Sequence, residues 1–172
     1  MTMFVGLKMD EESTETIYQW LQRCAKDRHM ELQAPLPKRF IYIPLCYSGS
    51  SDLDEDELRS HLAGAINVPI KLVNPRLDFL GETGNVSLIF QSDWIKERYQ
   101  FWVGKDRRLR QRSNGCRPKF KARIPMSHFC HSCNHNWLKD LPIREIRLAE
   151  EFATPFDRRT FLREVKEEMG WL

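Results

Sequence analysis

The sequence predicts an α+β fold with two pseudo-symmetric lobes of antiparallel sheet and flanking helices, on three observations. Short apolar strand-like runs alternate with amphipathic helical segments. A strand–helix–strand order occurs in each half of the chain. A six-residue pattern also recurs: Tyr42-Ile43-Pro44-Leu45-Cys46-Tyr47 and Arg123-Ile124-Pro125-Met126-Ser127-His128. Each copy is a residue with a polar head, then Ile-Pro, two small or apolar positions and a ring. Proline removes a ladder donor, so both strands are expected at an edge, a bulge or a ligand-facing position.

The elements follow in order. Met3 to Met9 reads as a strand, and Asp10-Glu11-Glu12 places acids in the first turn of a helix, where they complement its dipole. Ile17, Trp20, Leu21 and Cys24 form that helix's apolar stripe. Pro35 and Pro37 mark a loop before the strand run Phe40 to Tyr47. A short acidic helix is expected from Asp54 to Ala65, with Leu58 and Leu62 four apart. Strands are then expected at Ile66 to Val73, Arg76 to Leu80 and Asn85 to Phe90, the last two joined by Gly81-Glu82-Thr83-Gly84. Ser92 or Asp93 can cap a helix carrying Ile95, Tyr99 and Trp102. Residues 105–119 read as a loop, followed by strands at Phe120 to His128 and Ile143 to Leu148. Thr154-Pro155 with Asp157 suits the start of a C-terminal helix over about 155–170, presenting Phe161, Leu162, Val165 and Met169 and stopped by Gly170.

At 172 residues and 41% apolar composition, the chain has the size of one domain, taken here as 1–172. No stretch approaches the ~20 apolar residues that span a bilayer, and no signal segment opens the chain. Five cysteines, an odd number, argue against a secreted disulfide framework. Reduced thiols, a cytoplasmic location and no membrane partner are expected.

The net charge of +3 says little, but its distribution says more. From Lys105 to Arg123 nine basic residues stand against the single acid Asp106. Arg107, Arg108, Arg110, Arg112, Lys119 and Lys121 are candidate phosphate contacts, and Phe101, Trp102 and Phe120 flank them as candidate stacking surfaces. A solvated charged loop is the other reading of the same run.

Cys130 and Cys133 have the spacing of a zinc knuckle, with His128, His131, His135 or Cys116 available to complete four ligands. No second, similarly spaced pair exists, so a turn with incidental Cys and His is favoured and no metal is expected. The acids from Asp52 to Glu57 lack calcium-loop spacing and suit a helix start. No Walker, dinucleotide or zinc-protease motif is present, and no cofactor is expected.

The repeat, with its strand–helix–strand context and the approach Pro35-Leu36-Pro37-Lys38, resembles the 2H phosphoesterase superfamily. Phe120-Lys121-Ala122-Arg123-Ile124-Pro125-Met126-Ser127 stands where that family has its second motif. Over roughly Met3 to Glu151 the resemblance is strongest to phage anti-CBASS phosphodiesterases, which cleave cyclic oligonucleotides. It implies two lobes, each with a His-x-Thr motif lining a central cleft. Here Tyr42 and Arg123 take the histidine positions, and Pro44 and Pro125 take the threonine positions. In the family the histidines act as base and acid and the threonines hydrogen-bond phosphate. Arginine stays protonated, tyrosine titrates near ~10 and proline has no side-chain donor, so the family's hydrolysis is expected to be absent.

Arg123 can still grip a phosphate and Tyr42 can stack on a base. Alternatively both are ordinary strand residues, Tyr42 half-buried and Arg123 solvated. Three functional classes follow. The first is a catalytically degenerate, phage-encoded protein in the host cytoplasm that binds RNA or a cyclic or phosphorylated nucleotide. The second is a phosphodiesterase that recruits His128 or His131. The third is a module whose basic face binds a host protein.

Overall fold

Strand β1 (Met3–Met9) is buried on both faces except at Lys8, which is why it sits in the middle of a sheet. In the computed structural model, the described residues are 2–27, 32–48, 54–80, 84–106, 109–110, 119–130 and 140–171. On either side of β1 run β2 (Ile43–Ser48) and the long β8 (Glu145–Pro155), both antiparallel to it. β3 (Ala65–Lys71) pairs with the far edge of β8. The two-residue β6 (Leu109–Arg110) pairs with the end of β2, giving the order β3-β8-β1-β2-β6. A second antiparallel sheet has the order β4 (Val73–Leu80), β5 (Asn85–Gln91), β7 (Ala122–Ser127).

Among the described residues, four α-helices flank the sheets. α1 (Glu11–Lys26) begins where the Asp10 carboxylate accepts from Ser13 N–H at 2.8 Å, and it buries Ile17, Trp20, Leu21 and Cys24, the stripe its periodicity predicts. α3 (Asp93–Lys105) is capped by Ser92 Oγ, which accepts from Ile95 N–H at 3.3 Å. α2 (Glu55–Ser60) is capped by Asp54 and ends earlier than its sequence suggests. The chain after it is drawn onto β8, where the Glu151 carboxylate accepts from Ala63 N–H at 2.9 Å and Glu151 N–H donates to Gly64 O at 2.8 Å. Gly64 meets this bend with a φ of +68°, which glycine adopts without strain.

Three other expectations shift. Phe40 belongs to a single 3₁₀ turn (Lys38–Phe40), so β2 starts three residues later than predicted. β8 runs on through Thr154-Pro155, leaving Asp157 alone as the cap of α4 (Arg158–Glu168), accepting from Thr160 N–H at 3.1 Å. The basic segment, expected as a loop throughout, contributes β6, whose Leu109 is buried against the edge of β2.

The repeat is structural as well as sequential. Strands β1 and β2 are joined through α1, and β5 and β7 through α3, and each pair is antiparallel. Between Val5↔Cys46 and Gly6↔Pro44, β2 carries one extra residue, Leu45. Between Val86↔Ser127 and Ser87↔Pro125, β7 carries one extra residue, Met126. Leu45 and Met126 are the same position of the repeat, so both copies bulge directly after their proline. β2 and β7 pack beside each other where the two sheets meet.

Most apolar side chains form one core, dominated by Trp20, Trp102, Met3, Leu7 and Leu21. α4 stands apart. Its Val165 packs with Leu36 and Phe40 in a separate cluster that Phe129, Phe161 and Met169 border.

A buried ion pair ties three elements together. Glu151 of β8 is 1% exposed, and Arg98 of α3 meets it with two donors, Nε at 2.5 Å from Oε2 and Nη2 onto Oε1. Trp102 Nε1 donates to the same carboxylate at 3.1 Å, and Arg98 Nη2 also donates to His61 O at 2.9 Å. Removing one partner strands the other away from water. Glu151→Ala should therefore lower the unfolding free energy by about 3–5 kcal/mol in a denaturant titration.

Candidate functional site

A cleft of about 230 Å³ opens where β2 meets β7. Tyr42, Pro44 and Tyr47 line it from the first copy of the repeat, and Arg123, Pro125, Ser127 and His128 from the second. Sequence reasoning placed these two segments in equivalent roles, and the fold brings them to one hollow. β4 and β5 add Asp78, Leu80, Asn85 and Ser87, whose positions follow from the register: Ser87 lies opposite both Asp78 and Pro125, and Asn85 opposite Leu80. Phe40, Phe129 and Phe156 complete the lining together with Arg158, Phe161 and Leu162 of α4.

The two halves differ in chemistry. On the β2 side Tyr42 packs against Phe4 at 5.2 Å and Phe152 at 5.9 Å between ring centroids, and Tyr47 packs against Phe4 at 5.0 Å and Phe156 at 4.9 Å. Burial raises the Tyr42 hydroxyl well above the usual phenol range, so it stays protonated. Burial raises Tyr47 further still. A hydroxyl in this state can donate a hydrogen bond but is no base.

On the β7 side Arg123 is neither solvated nor idle. Its Nη1 lies 3.4 Å from Asp78 Oδ2, with the side chains 13% and 20% exposed, so the carboxylate neutralises much of its charge. Ser127 Oγ donates to Gln33 O at 2.8 Å. His128 lies between the rings of Phe129 and Phe161, with centroids 6.4 Å and 5.3 Å away. Burial, reinforced by the Arg158 charge, lowers its pKa from 6.5 to about 4, so the imidazole is neutral at physiological pH.

The other expected site residues are placed differently. Lys119 and Lys121 are exposed but do not line the cleft. The backbone of Arg110 pairs with Tyr47 as part of β6. Arg107, Arg108 and Arg112 lie outside the described residues. The three aromatics read as stacking surfaces are already engaged. Phe120 stacks on Tyr99 with centroids 4.2 Å apart and planes at 10°. Phe101 carries the Arg98 guanidinium at 4.3 Å, and Trp102 is buried on Glu151.

The cysteines correct a second expectation. Cys24 and Cys46 are free thiols, but Cys130 is buried and disulfide-bonded, so it offers no thiolate to a metal. Its partner lies outside the described residues, as do Cys116, Cys133, His131 and His135. His128, the remaining zinc candidate, belongs to the cleft wall.

Arg158, Phe156, Phe161 and Asp78 were missed by the sequence reading. Arg158 carried no distinguishing signal, being one of several charged residues on an amphipathic helix. Asp78 sits in a strand read only for its apolar neighbours.

The His128 environment gives a titration test. Its resonance in NMR should titrate near pH 4, and Arg158→Ala should raise that value while leaving it below 6.5, because burial is the larger cause. Since the unfolded chain binds this proton more readily than the native one, His128 makes stability rise with pH between about 4 and 6.5. That component should vanish in His128→Asn.

Several solved structures share this architecture. A phosphoesterase crystal structure matches with a TM-score of 0.61 at 14% identity, over 92% of this chain and 91% of that one. E. coli LigT complexed with NADP+ matches with a TM-score of 0.58 at 18% identity, over 91% of this chain and 88% of LigT. LigT complexed with 3'-AMP matches with a TM-score of 0.54 at 13% identity, over 91% and 89%. No protein-family model matches the sequence, and no curated protein does. The chain shares with these structures a 2H phosphoesterase-like fold, two antiparallel sheets with flanking helices.

Proposed function

We propose that the chain is a binding protein for a phosphate-bearing nucleotide or RNA, built on a 2H cleft that has lost hydrolysis. One observation carries this reading: Tyr42, Pro44, Arg123 and Pro125, the four motif positions, all line one cleft, and none can exchange a proton near neutral pH. His128, the other titratable group at the β7 strand end, has a pKa of about 4 and is a poor acid at that pH. The cleft nonetheless keeps aromatic faces, hydroxyl and amide groups and cationic side chains, the inventory that holds a nucleotide. LigT has been solved with 3'-AMP, with ATP and with phosphate, which supports a ligand of this class. Following the sequence resemblance, the reading extends to a phage-encoded protein acting against host defence in the host cytoplasm, with Lys119, Lys121 and the rest of the basic segment lengthening the contact for RNA.

The test is isothermal titration with 3'-AMP, short single-stranded RNA and a cyclic dinucleotide at two salt concentrations, with product analysis of the same samples. Salt-weakened binding of at least one of the three, with every ligand left intact, is expected. Turnover would restore the phosphodiesterase, and the absence of binding to all three would turn attention to a host protein on the basic face.

A further inference from the structure

The cleft is electrostatically one-sided. Of its two arginines, Arg123 is engaged by Asp78 in a mostly buried pair, and withdrawing it toward a ligand would leave that carboxylate poorly solvated. Arg158 differs on each count. It is exposed, it stands at the first position of α4, and it has no ion-pair partner among the described residues. Its charge reaches into the cleft, disfavouring protonation of His128 and favouring ionisation of Tyr47. The neighbouring Asp157 is turned away onto Thr160, accepting from its amide at 3.1 Å and its hydroxyl at 2.6 Å, and it lines a separate outer hollow rather than the cleft.

Among the described residues, the rest of the cleft lining carries no further Arg or Lys. Tyr42 and Tyr47 present aromatic faces, backed by Phe4 and Phe152 outside the cleft. Two cations lie behind these rings and outside the cleft lining: Lys8 over Phe152 at 5.0 Å, and Arg39, which pairs with Glu164 and Glu168. A phosphate placed against Tyr42 and Tyr47 would lose water and gain a phenol donor but no opposite charge from the described residues. The volume of about 230 Å³ also lies below the ~300–1,000 Å³ of common small-molecule sites.

We infer that the cleft, as its described residues line it, has a single anion-binding pole, at Arg158 of α4, and takes a ligand with one phosphate, its nucleoside packing toward Tyr42, Phe40 and Phe161. This rests on the nucleotide-binding reading above and narrows it: a terminal nucleoside monophosphate fits, and a cyclic dinucleotide, with two phosphates on opposite sides of its ring, does not. Arg158 is then the main phosphate contact, while Arg123 holds Asp78 and shapes the wall.

The experiment is titration calorimetry with adenosine, 3'-AMP and cyclic di-AMP on the wild-type chain and on Arg158→Ala and Arg158→Lys, with melting curves to confirm folding. The wild type should bind 3'-AMP more tightly than adenosine and more tightly than cyclic di-AMP. Arg158→Ala should weaken 3'-AMP about tenfold or more and leave adenosine unchanged, with Arg158→Lys in between. Equal loss for adenosine and 3'-AMP, no loss for either, or tighter cyclic di-AMP binding would overturn the single-pole assignment while leaving nucleotide binding standing. Failure of the wild type to bind any of the three would overturn the nucleotide reading itself, and the pole with it.

Discussion

The Glu151 carboxylate is the point on which the two lobes agree. It sits on β8 of the five-stranded sheet, yet Arg98 and Trp102, which satisfy it, belong to the helix between β5 and β7 of the other sheet, and its remaining partner is the backbone where α2 leads into β3. A charge this deeply buried is tolerable only when every lone pair finds a donor. Satisfying it fixes where α3 lies over the first sheet, and α3 in turn sets where β5 and β7 begin and end. The meeting of β2 with β7, and hence the cleft, is downstream of that constraint.

Much of this architecture was legible because local signals agreed. α1 has a cap, first-turn acids and a clean apolar stripe, and its bounds follow from them. The six-residue repeat located both cleft strands, because proline in a strand is rare enough to mark a special position. The fold then supplies the reason, a bulge directly after each proline.

What was hidden depended on partners distant in sequence. β8 looked short because Glu150-Glu151 interrupts its alternation, and nothing local shows that Glu151 is buried against a residue fifty-three positions away. Phe120 looked available for a base until Tyr99 was found stacked on it. Arg123 reads in the sequence as a phosphate grip or a solvated strand residue, and neither reading shows that Asp78 lies alongside it. The pairing of Cys130 could not be read from an odd cysteine count, and Arg158 reaches the cleft only because α4 supplies part of its lining.

The separate cluster that seats α4 has a consequence for the timescale of amide exchange. Leu36, Phe40 and Val165 form a small apolar contact outside the main core, supplemented by Arg39 on Glu164 and Glu168 at the surface and by Lys166 over Phe129. Exposed ion pairs add little, so the free energy that seats this helix is a fraction of what holds the sheets. Amide hydrogens of α4 are therefore expected to exchange sooner than those of the central strands, by local opening rather than by global unfolding.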